Sequence, residues 1–176
     1  MSNTIIPYES ALQHALKSAA WAGLRFSSET TSQRAVRNDQ PDRNESALEE
    51  GAMCEVLVDG HFGYAATADL SLAGLQRAFD RAVATTRATS AHKVHAFTAA
   101  QRPQAKGRYT SARQRNLDTT SVAEITDCLL AASMAMNLSD KLVNRSASAM
   151  IVQTNIIYFS SNGSETRQSF DLVDIT

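Results

Sequence analysis

Apolar residues recur along this chain at two periods, and the switches between them mark out its elements. Leu12, Ala15, Leu16 and Ala19 fall three and four apart, predicting a helix over 8–22, opened by Pro7 and ended by Gly23. Leu24 to Val36 is polar and β-branched in places and predicts one or two weak strands. Asn38-Asp39-Gln40-Pro41-Asp42 is a turn or loop cluster. Glu45 to Val58 predicts a long strand broken near Gly51. Its end alternates, with Val56 and Val58 on one face and Glu55 and Leu57 on the other. Asp59-Gly60 then supplies a type I′ hairpin turn, which pairs Val58 with His61 and Val56 with Gly63. Gly63 inside a strand marks a bulge or a close backbone approach. Ser71 is an N-cap, and Leu72, Leu75, Phe79, Ala82 and Val83 line one side of a helix that runs to Ala88.

The pattern breaks from Ser90 to Leu117. Lys93, Arg102, Lys106, Arg108, Arg113 and Arg115 occur there with no acidic residue among them, and Pro103 and Gly107 interrupt any period. This predicts a solvated basic linker, with an anion-binding or partner-facing strip as the alternative. Periodicity resumes at Ser121-Val122-Ala123-Glu124, a capping box with Ser121 as N-cap and Glu124 reaching back. Val122, Ile125, Leu129, Ala132 and Met136 line one face of the helix that follows. Leu142 to Phe159 is strand-forming but long, so a reversal near Gln153-Thr154-Asn155 is expected. Asn162-Gly163 predicts a hairpin turn, and Thr166 to Val173 the returning strand, with Phe170 and Leu172 on one face.

These elements predict an α+β chain with two helix-backed antiparallel sheet units joined by the basic linker. The first domain is placed at residues 1–90, the linker at 91–119 and the second region at 120–176. At 176 residues and 43% hydrophobic content, the chain is long enough to bury a core, and at 6% aromatics that core leans on small side chains. A net charge of −1 and a pI near 6.4 argue against a nucleic-acid partner. The N-terminus lacks the basic and apolar regions of a secretory leader, and no apolar run approaches a membrane span, so a cytoplasmic location is expected. Cys54 and Cys128 are then expected to be buried free thiols.

Little in this pattern carries chemistry. His92-x-x-His95 is the only close histidine pair, and no Cys, Asp or Glu lies near it to complete a zinc shell. His14 and His61 each stand alone. No nucleophile, base and orienting group can be assembled from spacing. Catalytic, metal and cofactor-binding residues are therefore expected to be absent from the chain. The residues singled out are turns and caps: Asp59, Gly60, Gly63, Ser71, Ser121, Glu124, Asn162 and Gly163.

The run from Gly51 to Ala88 resembles the N-terminal domain of the TldD/PmbA metallopeptidase family, long labelled modulators of DNA gyrase. The residues that carry the resemblance are Gly51, Asp59-Gly60, Phe62-Gly63-Tyr64-Ala65, Thr67-Ala68-Asp69-Leu70-Ser71 and the helix after them. Ser161-Asn162-Gly163-Ser164 is similar to a turn in that family's second region. The family's zinc site, a His-Glu-x-x-x-His helix and a later cysteine, has no counterpart in these residues. The resemblance therefore implies a non-catalytic N-terminal portion, inactive alone, with zinc belonging only to the full-length family. It implies a homo-oligomer or a paralogous partner subunit, and a peptide as substrate. If the chain closes on the strand Thr166 to Val173, that strand is expected to leave an unpaired edge or an apolar patch. A stand-alone interaction module without a catalytic half is the alternative.

Overall fold

The computed structural model describes residues 7–92, 94–114 and 117–176. Its helices are α1 (Tyr8–Ala15), α2 (Leu72–Thr89) and α3 (Val122–Ala135). Its strands are β1 (Trp21–Arg37), β2 (Gln40–Val58), β3 (His61–Thr67), β4 (Lys106–Thr110), β5 (Ser146–Ser160) and β6 (Glu165–Ile175). The architecture is α+β. All six strands belong to one sheet in the order β3-β2-β1-β5-β6-β4, where alternation along the chain suggests two. The reason is the pairing of β1 with β5. Backbone hydrogen bonds between strands so distant in the chain leave no local periodic signal.

The chain divides into two compact units, and β1, β2, β5 and β6 contribute to both. One unit contains the residues up to Ser28, Glu50–Tyr109 and Ile156–Gln168; the other contains Glu29–Glu49, Thr110–Asn155 and Ser169–Thr176. In the first unit, α1 and α2 cover one face of the strands. Ala11, Leu12 and Ala15 of α1 and Leu75, Ala78, Phe79, Ala82 and Val83 of α2 pack on Ala22, Leu24, Cys54, Val56, Val58 and Phe159. β2 and β3 pair antiparallel with Val58 opposite His61 and Val56 opposite Gly63. In the second unit α3 packs through Leu129, with Ile125 and Leu130 beside it, on Val36, Ala147 and Ala149.

Several elements depart from the periodic reading. α1 stops at Ala15 rather than running to residue 22, because the chain is drawn into the sheet: the Ala20 amide donates to the Leu57 carbonyl and Trp21 opens β1. Gly51 does not break β2, and β5 runs without reversal through Gln153-Thr154-Asn155. Asn38 and Asp39 both adopt positive φ, at 48° and 62°, as a type I′ turn between β1 and β2 requires. β6 is not the edge of the sheet, since β4 lies outside it. Phe170 and Leu172 on one face of β6 and Val173 and Ile175 on the other are nonetheless exposed. α3 is turned relative to the expected face: Ser133 is buried beside Leu129, while Ala132 and Met136 are exposed. This helix is apolar nearly all round, so periodicity does not fix which side faces inward. Among the described residues, no helix is long and apolar enough to cross a membrane.

The cysteines differ. Cys54 is buried beneath α2, and burial pushes its thiol up to about 12. Cys128 is exposed on α3, against the expectation that both are buried. A disulfide-exchange reagent at pH 7.5 is expected to modify one thiol of the native chain rapidly, and the second only after unfolding. Equal rates for both would place Cys54 outside the core.

Candidate functional site

The residues that the sequence singles out sit at turns and helix starts. Asp59 and Gly60 adopt φ of 51° and 78°, closing β2 on β3 as a type I′ turn. Gly63 is a close approach: a Cβ there would lie 1.6 Å from Thr86 Oγ1 of α2. The Ser71 hydroxyl accepts the Gly74 amide at 3.1 Å. Asp69 buttresses this cap, accepting from the Ser71 amide and hydroxyl and from Arg77; the Ser71 hydrogen bonds hold its carboxyl below the usual range. The Ser121–Glu124 capping box is reciprocal, at 2.9 and 3.1 Å. Gly163 takes φ 86°, while Asn162 keeps a negative φ, so the β5–β6 turn is not type I′.

The structure assembles something that spacing did not reveal. On the face of the first unit opposite α1 and α2, alternation brings up Trp21 of β1, Glu55 and Leu57 of β2, Phe62 and Tyr64 of β3, and Tyr158 of β5. The segment 94–105, expected to be linker, crosses this face as a strap. Both glycine turns hold it down. The Phe97 amide donates to the Gly60 carbonyl at 2.8 Å. At the other turn, Asn162 Nδ2 donates to the Arg102 carbonyl at 2.7 Å, and Gln104 Nε2 to the Gly163 carbonyl at 3.0 Å. The Ala105 amide donates to Ser164 Oγ at 3.1 Å, and Trp21 Nε1 to Asn162 Oδ1 at 3.2 Å.

Arg102 is the centre of the strap. Its Nη2 and Nε donate to Glu55 Oε1 at 2.6 and 3.1 Å, and its guanidinium lies 4.3 Å from the Phe62 ring centroid. Glu55 is buried, with 8% of its side chain exposed, against 37% for Arg102. Tyr64 donates to the same Glu55 oxygen at 2.9 Å. The Phe62 ring stands edge-on to Trp21 and tilted against Phe97, at 5.9 and 5.5 Å. Hydrogen bonding to Glu55 raises the Arg102 pKa, so the guanidinium is always charged. Burial, with the Glu55 charge beside it, raises Tyr64 and pushes Tyr158 up to about 12, so both phenols stay protonated at neutral pH.

This arrangement binds a cation and contains no nucleophile paired with a base. Nor does it fit a metal. Among the described residues, no three of His, Cys, Asp or Glu gather as a ligand set. His14 Nε2 lies 2.7 Å from Asp80, and the His95 ring stands edge-on to Phe97 at 4.9 Å. The zinc that the resemblance implies for the full-length family therefore finds no ready ligand set among the described residues. Of the remaining basic residues, Arg113 pairs with Asp171 at 2.8 Å, and Lys106, Arg108 and Arg167 line a shallow depression with Glu165. Lys93 and Arg115 lie outside the described residues. One sequence signal for this site was present: Glu55 is the lone charge in the apolar run Met53 to Val58. Arg102 had none.

Comparison with known proteins adds the context. The model of PmbA/TldA metallopeptidase domain 1 matches residues 22–86, from β1 into α2. No curated protein sequence matches the chain. The fold is similar to a proposed modulator of DNA gyrase from Bacteroides thetaiotaomicron, with TM-score 0.70 and 19% identity over 95% of this chain. It is equally similar to TldE from Thermococcus kodakarensis, with TM-score 0.70 and 10% identity over 96% of the chain. A proposed gyrase modulator from Thermotoga maritima matches at TM-score 0.62 and 17% identity over 88% of the chain. The chain spans only 38%, 38% and 35% of the lengths of these three proteins.

Proposed function

We propose, from the match of residues 22–86 to the model of PmbA/TldA metallopeptidase domain 1, that the chain acts as a non-catalytic N-terminal portion of a TldD/PmbA-like zinc metallopeptidase. In this reading it shapes the cleft that receives a peptide and contributes to association with a second subunit. The family match over β1–α2 carries the reading.

Two features support the finer roles. β3 lies at the end of the sheet, and an end strand offers backbone groups to an extended peptide. The exposed Phe170 and Leu172 on one face of β6, and Val173 and Ile175 on the other, offer apolar surface to a protein partner.

The purified chain is expected to bind no stoichiometric zinc, to show no chelator-sensitive proteolysis, and to form a dimer or larger species with residues 164–175 slow in hydrogen exchange. One tightly held zinc per chain, or proteolysis abolished by a chelator, would overturn the non-catalytic role. A clean monomer at high concentration, with rapid exchange throughout that strand, would overturn the association role.

A further inference from the structure

The Arg102–Glu55 pair joins two parts of different character. Glu55 is fixed in the interior of β2, with Phe62 and Tyr64 on the paired strand β3. Arg102 rides on a strap whose residues 94–101 and 103–105 are exposed, and whose regular structure is one 3-10 turn, Ala99–Gln101. Segments with few buried contacts open locally at low cost, whereas paired strands inside a sheet do not. When the strap lifts, a carboxylate remains on an aromatic floor, and a buried charge without a partner is costly.

The geometry favours one kind of replacement. Two N–H groups of one planar cation reach Glu55 Oε1 while its central carbon lies over the Phe62 ring, 4.3 Å from the centroid. A guanidinium does both, whereas an ammonium is a compact point charge without a face to stack. We propose that Glu55, Phe62 and Tyr64 form a guanidinium receptor, filled in cis by Arg102 and open to an arginine side chain of a bound peptide that displaces the strap.

Strand geometry supports a peptide as the source of that arginine. In the β2–β3 register, His61, Gly63 and Ala65 exchange hydrogen bonds with β2, so the backbone groups of Phe62, Tyr64 and Ala66 point outward. Arg81 Nη2 already uses the Ala66 carbonyl, at 3.0 Å, which leaves the Phe62–Tyr64 stretch as the docking edge. An extended peptide added there presents alternate side chains on the receptor face. The peptide as occupant rests on the cleft role proposed above; the receptor itself does not.

The test uses the full chain and its Arg102→Ala variant, with the single tryptophan, Trp21, as fluorescent reporter. Nα-acetylarginine amide should bind the variant saturably and at least tenfold more tightly than the citrulline amide, which replaces the guanidinium by a neutral urea. Adding Glu55→Gln should abolish that preference. Unchanged chain should bind the arginine amide at least tenfold more weakly than the variant, because its receptor is filled. Equal binding of the arginine and citrulline amides by a folded variant would overturn the receptor. If the variant does not fold, hydrogen exchange of the unchanged chain decides. The Phe97 and Ala105 amides should exchange faster with saturating arginine amide than with citrulline amide, and identical exchange would overturn the proposal. A final arm compares the arginine amide with an alternating apolar peptide carrying one arginine. Equal affinities would overturn the peptide as occupant, and with it the cleft role, while the receptor stands.

Discussion

Gly63→Val is expected to cost about 3 kcal/mol or more, at or beyond the upper end of ordinary overpacking. Gly63 sits where β3 meets α2. A Cβ there would lie 1.6 Å from Thr86 Oγ1, 2.9 Å from Thr86 Cβ and 3.3 Å from the Ala82 carbonyl oxygen. Rotating Thr86 relieves only the first contact, and it also breaks the hydroxyl's 2.6 Å hydrogen bond to the Ala82 carbonyl. The remaining contacts involve Cβ and backbone, so the helix itself must move away from a core that includes Phe79, Ala82 and Val83. Gly63→Ala should show the same effect in smaller measure. Combining it with Thr86→Gly should recover part of the loss beyond the cost of Thr86→Gly alone. Denaturant titration of the two single variants and the double variant reads this directly. A Gly63→Ala variant within 0.5 kcal/mol of the unchanged chain would show that α2 does not lie against β3 at this point.

Local features were the legible ones. A two-residue turn with Asp and Gly fixes its own hairpin register, so the pairings of Val58 with His61 and Val56 with Gly63 follow from adjacent residues. The caps at Ser71 and Ser121 are equally local, each decided within four residues. What failed to show depends on groups remote in the chain. Glu55 and Arg102 are 47 residues apart, and the basic composition of 93–115 describes a solvated segment as well as it describes a strap. The alternation that put Glu55 opposite Val56 was visible, but not that a second layer would cover it. The inward face of α3 is a sharper case. Apolar spacing favoured Ala132 and Met136, yet Ser133 is fully buried, because a hairpin tip 94 residues earlier supplies its hydrogen-bond partner.

That partner is Asp39, and Asp39→Ala is expected to cost about 3–5 kcal/mol, the range for orphaning one member of a buried ion pair. Asp39 occupies the β1–β2 turn at φ 62°. Its Oδ1 accepts the Ser133 hydroxyl at 2.8 Å, its amide donates to Ser133 Oγ at 3.2 Å, and its Oδ2 accepts Arg145 Nη2 at 2.6 Å. Asn38 completes the clamp, exchanging hydrogen bonds with the Arg145 backbone at 2.8 and 2.9 Å. Only 12% of the Arg145 side chain is exposed, so without Asp39 its charge is left desolvated. Alanine also places an ordinary side chain at positive φ, a separate penalty that Asp and Asn bear more easily. Three variants separate these terms. Asp39→Gly removes the backbone strain but still orphans Arg145, so it should remain close to alanine. Asp39→Asn also orphans Arg145, since its amide keeps one acceptor oxygen, but it retains the turn conformation and the Ser133 hydrogen bond, so it should be the mildest. Thermal and urea unfolding should therefore rank the variants alanine, glycine, asparagine from most to least damaging. Glycine and asparagine both close to the unchanged chain would mean that backbone conformation, rather than the Arg145 pair, holds the hairpin tip against α3.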